Sequence, residues 1–157
     1  MKQKTILMVC LGNICRSPLA EGILASKCEH LPIVVDSAGT SAHHIGEGPD
    51  HRSVHIATVN GIDIADQRAR KLMKSDLEDF DLIFAMDSDN YTNILKLAST
   101  ELDRNKVHLL LNEFTPEQNK AVPDPYFGGD QGFEIVFSLL DDACEALKNK
   151  LEKEFDV

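Results

Sequence analysis

The segment from Thr5 to Pro18 constrains this chain most: Thr5-Ile6-Leu7-Met8-Val9 runs into Cys10-Leu11-Gly12-Asn13-Ile14-Cys15-Arg16-Ser17-Pro18. The first part is apolar without alternation, the pattern of a short strand buried on both faces. Ser17-Pro18 reads as a helix start, a capping hydroxyl followed by proline at the first helical position, where no amide donor is missed. Cys10 therefore stands where a strand ends and Arg16 where a helix begins. The residues between them must turn tightly, and Gly12 and Asn13 are the types that tolerate left-handed backbone angles. Such a loop turns successive amide N–H groups inward, and the helix start adds partial positive charge. The expected product is a cup for a tetrahedral oxyanion, lined by Leu11, Gly12, Asn13, Ile14, Cys15, Arg16 and Ser17. Its floor is a thiol and its rim a guanidinium.

Each part of that cup has a chemical use. A thiol attacks as its thiolate, a form that helix N-termini and neighbouring guanidinium groups favour. Arg16 can grip two phosphate oxygens in its planar fork, which a lysine cannot. Ser17 is near enough to hydrogen-bond the Cys10 sulfur and make it a better leaving group. The set predicts in-line attack on phosphorus and a covalent phosphocysteine.

Together with Asp124-Pro125-Tyr126 near the other end, this loop resembles that of the low-molecular-weight protein tyrosine phosphatases. Asp36-Ser37-Ala38-Gly39-Thr40, Arg68-Ala69-Arg70 and Ala85-Met86-Asp87 fall between the two in the order of that family's landmarks. The resemblance thus spans nearly the whole chain. It implies four parallel strands with the Cys10 strand in the interior, and hydrolysis of protein phosphotyrosine or a small aryl phosphate without metal or organic cofactor. It also implies a strained Asn13 supported by Ser37 and by a donor at the position of Gln67, where the family carries a histidine; Ser17 belongs to the same support. Gln67 can donate similarly but cannot titrate, so a surviving loop with a different pH response is expected. Cys15 is implied as a redox partner that shields Cys10 from irreversible oxidation; a buried structural thiol is the equal alternative. The family's aromatic wall at the mouth aligns with His43, which His44 follows.

Asp124 is the candidate general acid for the leaving phenolate. Pro125 forces an extended backbone at Asp124 and stiffens the loop. An isolated Asp-Pro would read as an ordinary turn, but the long connection around it and the family match select the acid. Tyr126 and Phe127 are expected to flank the mouth and stack on the substrate ring, or else to plug the loop against the body of the domain.

Hydrophobic patterning sets out the remaining elements. A helix should run from Ser17 to about His30 with Leu19, Ile23, Leu24 and Cys28 on one face. Ile33-Val34-Val35 reads as a strand ended by a loop over Asp36–Gly39, and Thr40–Pro49 as a surface loop. A helix opening at Pro49-Asp50 stops at Gly61, and a short helix capped by Ser75 lies between Leu72 and Phe80. Asp81–Met86 reads as a strand, Asp87-Ser88 to about Leu97 as a helix, and Val107–Leu111 as the fourth strand. Asn112–Gly129 is a long connection, of the kind that carries function. The last helix opens near Gly132, with Phe133, Val136, Phe137, Leu140, Cys144, Leu147 and Leu151 at helical spacing. Alternating strands and helices predict a doubly wound α/β fold, a four-stranded parallel sheet flanked by helices with the phosphate loop after the first strand. Ligands of such sheets bind beyond the strands' carboxyl ends.

Composition narrows the setting. The 157 residues suit one domain, and a formal net charge of -10 argues against binding nucleic acid or acidic membrane surfaces. Cys10, Cys15, Cys28 and Cys144 form no disulfide framework, which points to a reduced, cytoplasmic protein. No signal peptide is legible, and no apolar run approaches the ~20 residues of a membrane span. A monomer or weak dimer is expected. His51 and His55 share a predicted helix face, but without further ligands they read as solvated or capping groups, not a metal pair. Arg68 and Arg70 read as an exposed pair. Three rivals are weaker. An arsenate reductase-like redox enzyme needs resolving cysteines in mid-sequence, and none lies between Cys28 and Cys144. Phosphoarginine phosphatases resembling this chain carry Thr where Ile14 stands. A phosphate carrier or phosphoprotein-binding module would not need Arg16 and Asp124 together.

Overall fold

The computed structural model describes all residues except Met1 and Phe127, so the expected place of Phe127 at the mouth lies outside the described residues. The described strands are β1 (Lys4–Cys10), β2 (Ile33–Gly39), β3 (Leu82–Ala85) and β4 (Val107–Leu109), in the order β2-β1-β3-β4 with every neighbouring pair parallel. The helices are α1 (Arg16–Lys27), α2 (His51–Val59), α3 (Lys74–Asp79), α4 (Ser88–Leu95), α5 (Glu101–Arg104) and α6 (Asp130–Glu154). From β1 the chain goes first to one side of the sheet, at β2, and then to the other, at β3. Cys10 thus ends the strand at which the winding reverses, the place where parallel sheets open a crevice.

The alternation of β1 explains why its apolar run is unbroken. Ile6, Met8 and Cys10 pack with Leu19, Ile23 and Leu24 of α1 and with Val136, Leu140 and Leu147 of α6. Leu7 and Val9 face the other way, against Leu77 of α3 and Ile94 of α4. Ile6, Leu7, Met8 and Val9 are all fully buried, each contributing roughly 1.5–3 kcal/mol by the usual measure for a large side chain. The whole predicted stripe of α6 is buried, Phe133 through Leu151. Cys28 and Cys144 are core thiols, as their helical positions indicated.

Several boundaries differ from the sequence reading. Helix α1 starts at Arg16, one residue before the expected cap, and ends at Lys27. Ser17 does not cap it, because its hydroxyl is engaged with Asn13 and Cys10. Strand β2 continues through Asp36-Ser37-Ala38-Gly39, since these residues pair in register with Leu7–Cys10 of β1; the ladder outweighs their loop composition. Helix α3 begins at Lys74, and the carboxylate of Asp76, not Ser75, caps it by accepting the Met73 N–H. Strand β4 stops at Leu109, where a 3₁₀ turn takes over (Leu110–Glu113), and α6 begins at Asp130, ahead of Gly132. The short α5, capped by the Thr100 hydroxyl, had no apolar period to announce it. By contrast α2 opens on Asp50, whose carboxylate accepts the Arg52 N–H, and stops at Gly61 (φ 77°) as expected. Among the described residues no helix is long and apolar enough to cross a membrane.

Candidate active site

The loop between β1 and α1 is built from the outside in. Its carbonyls are bonded away from the cup: Cys10 O accepts from Thr40 N–H, Leu11 O from Ser41, Ile14 O from Asp50 and Cys15 O from the Ser53 hydroxyl. A trans peptide points its N–H opposite to its C=O, so the amides of Leu11, Gly12, Cys15 and Arg16 face inward. Asn13 takes the left-handed conformation that the turn demands (φ 57°). Its side chain holds it there: Nδ2 donates to Ser17 Oγ (2.8 Å) and to Ser37 Oγ (3.0 Å), and Oδ1 accepts from the Arg70 backbone N–H (3.0 Å). Gly39, opposite Cys10 in the sheet, lets the loop approach closely; a Cβ there would lie 2.8 Å from Leu11 O.

Cys10 is 3 % exposed at the floor of the cup, and Ser17 Oγ lies 3.0 Å from its sulfur. Because Ser17 Oγ accepts from Asn13 Nδ2, its own hydrogen is free to point at the sulfur. Arg16 is equally buried, with Nη1 donating to Asp87 Oδ2 (2.7 Å) and to Val122 O (2.9 Å). These bonds fix the guanidinium plane and compensate a charge that would be costly to bury alone. Nη2 stands 3.8 Å from Asp124 Oδ2 across the opening, and the Asp124 side chain is 42 % exposed. The cleft above Cys10 measures about 370 Å³ and is lined by His43, His44, Asp124 and Tyr126 as well as the loop. Cys15 lines the same cleft. Burial, aided by the charges of Asp50, Cys10 and Asp124, pushes the Cys15 thiol up to about 12, so at neutral pH it is a thiol.

This arrangement offers a buried sulfur nucleophile, inward amides, an oriented guanidinium and a carboxyl at the mouth. A family model described as low molecular weight phosphotyrosine protein phosphatase matches residues 5–157. The chain belongs to that family. This phosphatase is 41% identical over 154 residues to the low molecular weight phosphotyrosine protein phosphatase of Schizosaccharomyces pombe, covering 94% of this chain and 97% of the relative. The structure of a protein tyrosine phosphatase from Entamoeba histolytica, with Hepes in its active site, matches with a TM-score of 0.90 at 39% identity, covering 98% and 99% of the two chains. A Drosophila arginine phosphatase matches with a TM-score of 0.84 at 31% identity, covering 92% and 96%.

Two sequence expectations for the phosphatase site need correction. Gln67 does not support Asn13; its Nε2 donates to Pro18 O (3.1 Å), and the Arg70 N–H serves Asn13 instead. Arg70 is not an exposed side chain; it is half-buried and bridges Asp36 and Asp76, while Arg68 is exposed as expected. At the mouth His43 lines the cleft as expected, and His44 beside it also lines it, makes a ring contact with Tyr126 (centroids 6.2 Å apart) and sits over Gly12. Among the described residues His51 and His55 gather no metal-binding cluster.

Sequence reasoning missed several participants. Asp87 was visible only as a family landmark and a helix start, yet it anchors Arg16 from the cap of α4. Glu21 accepts from the Ser37 hydroxyl at 2.6 Å and so ends the hydrogen-bond chain that starts at Cys10. Its spacing of four from Ser17 along α1 was the only available signal.

Proposed function

We propose that this phosphotyrosine phosphatase works by double displacement on Cys10, with phosphotyrosine proteins or small aryl phosphates as substrates. The Cys10 thiolate attacks phosphorus while the inward amides of Leu11, Gly12, Cys15 and Arg16 and the free edge of Arg16 hold the three equatorial oxygens. As the P–O bond breaks, Asp124 donates its proton to the leaving phenolate. The resulting carboxylate then takes a proton from the water that attacks the phosphocysteine. The S–P bond breaks, and the departing thiolate is met by the Ser17 hydroxyl. Charge stabilisation and proton transfer are thus both supplied by side chains and amides of the chain itself.

The observation that carries this reading is that Cys10, Arg16 and Asp124 line one cleft, with Asp124 Oδ2 3.8 Å from Arg16 Nη2. Tyr126 and the His43-His44 edge supply flat walls for an aryl group. The Drosophila neighbour's name indicates that the fold also suits phosphoarginine, but the branched Ile14 lines this cleft where resembling arginine phosphatases carry Thr. An arsenate reductase cycle needs resolving cysteines in mid-sequence, where this chain has none, and Cys28 and Cys144 lie in the core. Four free, buried thiols support work in a reducing cytoplasm, as a single-domain monomer or weak dimer.

Asp124→Asn tests the assignment. Phenyl phosphate, with its poor leaving group, should lose far more kcat than 4-nitrophenyl phosphate, within the ~10²–10⁴-fold that general acid catalysis supplies. Inorganic phosphate should bind nearly as before. Equal losses on both esters, or none, would remove Asp124 from the role and point to another acid.

A further inference from the structure

Asp124 stands on a segment, residues 121–126, without regular secondary structure. Its carboxylate closes a local turn, Oδ1 accepting the Tyr126 N–H (3.1 Å), and Oδ2 stands 3.8 Å from Arg16 Nη2. The backbone that carries this carboxyl is held from another element. Arg52, in the first turn of α2, donates from Nη2 to Tyr126 O (2.9 Å) and from Nη1 to Gly128 O (3.1 Å), spanning the chain just beyond Asp124. The guanidinium is itself immobilised. Nε and Nη2 grip both oxygens of Asp50 (3.0 Å each), and the group lies over the Phe133 ring at 4.6 Å and near the Tyr126 ring at 5.9 Å. Asp50 in turn donates its backbone N–H to Ile14 O of the phosphate loop (2.8 Å). Those bonds to Arg52 hold the Asp50 carboxyl below the usual carboxylate range, so the clamp stays charged at working pH. One side chain therefore joins α2, the start of α6, the phosphate loop and the acid segment.

We propose that Arg52 is the positioning residue for acid catalysis, fixing the carbonyls of Tyr126 and Gly128 so that Asp124 reaches the leaving oxygen. The proposal rests on the reading of Asp124 as the acid. Its chemistry needs arginine: the planar fork holds the Asp50 carboxylate through two donors while still reaching two carbonyls, more than an ammonium can satisfy in one plane. Loosening the segment by about an ångström would leave phosphate binding and attack intact and degrade only proton donation.

The test is a double-mutant cycle. Arg52→Gln, Arg52→Lys, Asp124→Asn and Arg52→Gln/Asp124→Asn are compared on phenyl phosphate and 4-nitrophenyl phosphate. Calorimetric binding of inorganic phosphate reports the state of the cup in each. Arg52→Gln should cut kcat for phenyl phosphate roughly tenfold or more, within the general-acid contribution, and change the nitrophenyl ester several-fold less. Phosphate affinity should hold, and Arg52→Lys should recover part of the loss; if the Gln variant does not fold, the Lys variant shows the same selectivity in milder form. In the Asp124→Asn background, Arg52→Gln should cost nothing further on phenyl phosphate. Equal losses on both esters, weakened phosphate binding, or multiplicative losses in the double variant would each overturn the proposal and make Arg52 a support of the phosphate loop. A lack of ester preference in Asp124→Asn alone would instead sink the acid assignment, and the positioning role with it.

Discussion

Glu21 shows how one side chain couples the phosphate loop to pH. Burial pushes its carboxyl up to about 7 and the nearby Asp36 charge adds to the shift, while the Ser37 hydroxyl and Arg70 oppose it. From an unfolded value of 4.5, the folded state then binds the proton more tightly. Stability from this group is full below about 4.5 and is lost as pH rises through about 7. His108, pushed below 6.5 by burial, acts in the opposite sense just under that value, so the raw pH curve of the protein mixes both. Subtraction separates them. The stability of Glu21→Gln minus that of the wild type should grow between pH 5 and pH 7.5 in urea unfolding, because the amide cannot charge. A difference independent of pH would show that Glu21 does not titrate in this window.

At the scale of elements, the decisive contact is between the end of β2 and the loop after β1. Parallel pairing puts Gly39 beside Cys10, and the absent Cβ is what allows Leu11 O, Gly12 C and Asn13 Cβ to lie within about 3 Å of that position. Gly39→Ala must therefore displace backbone, for which overpacking costs of about 1–3 kcal/mol are usual. The expected result is a protein with an unchanged far-ultraviolet spectrum and a lowered melting temperature. Inorganic phosphate should bind at least tenfold more weakly, since the inward amides no longer converge. Wild-type phosphate affinity in this variant would mean that the loop is held by Asn13 alone. The same contact explains why β2 outruns its apolar stretch: Asp36 and Ser37 are kept in strand form by β1, and from there they serve Arg70 and Asn13.

At the scale of the whole molecule, a local positive cup sits in a chain of net charge -10. Long-range repulsion of anionic substrates is screened with a Debye length of about 10 Å at 0.1 M salt. For phosphotyrosine peptides flanked by acidic residues, kcat/KM should rise when sodium chloride is raised from about 0.01 to 0.15 M, a range over which that screening length falls several-fold. Peptides with neutral flanks should respond less. An equal response of both peptides would place the salt effect in the cup instead of in the field of the protein.

The amino-acid sequence by itself determined whatever is local. The strand–cup–helix unit from Thr5 to Lys27, the apolar stripe of α6 and the cap and stop of α2 all follow from short-range patterning, in which neighbours along the chain are neighbours in space. The place of Cys10 at the carboxyl end of β1 was legible for that reason. Asp124 was singled out by the long connection around it together with a matched motif. Tertiary structure alone decided which distant groups complete the site: Asp87 reaches Arg16 across 71 residues, and Arg52 reaches Tyr126 across 74. It also decided that Gln67 turns to Pro18 while the backbone of Arg70 serves Asn13, that Ser17 bonds a sulfur instead of capping its helix, and that β2 runs on to Gly39. Each of these outcomes is a competition between partners for the same donor or acceptor. Local propensity is worth tenths of a kcal/mol to about 1, and leaving a buried polar group unpaired costs about 1–3 kcal/mol. The contacts that the sheet brings together therefore prevail.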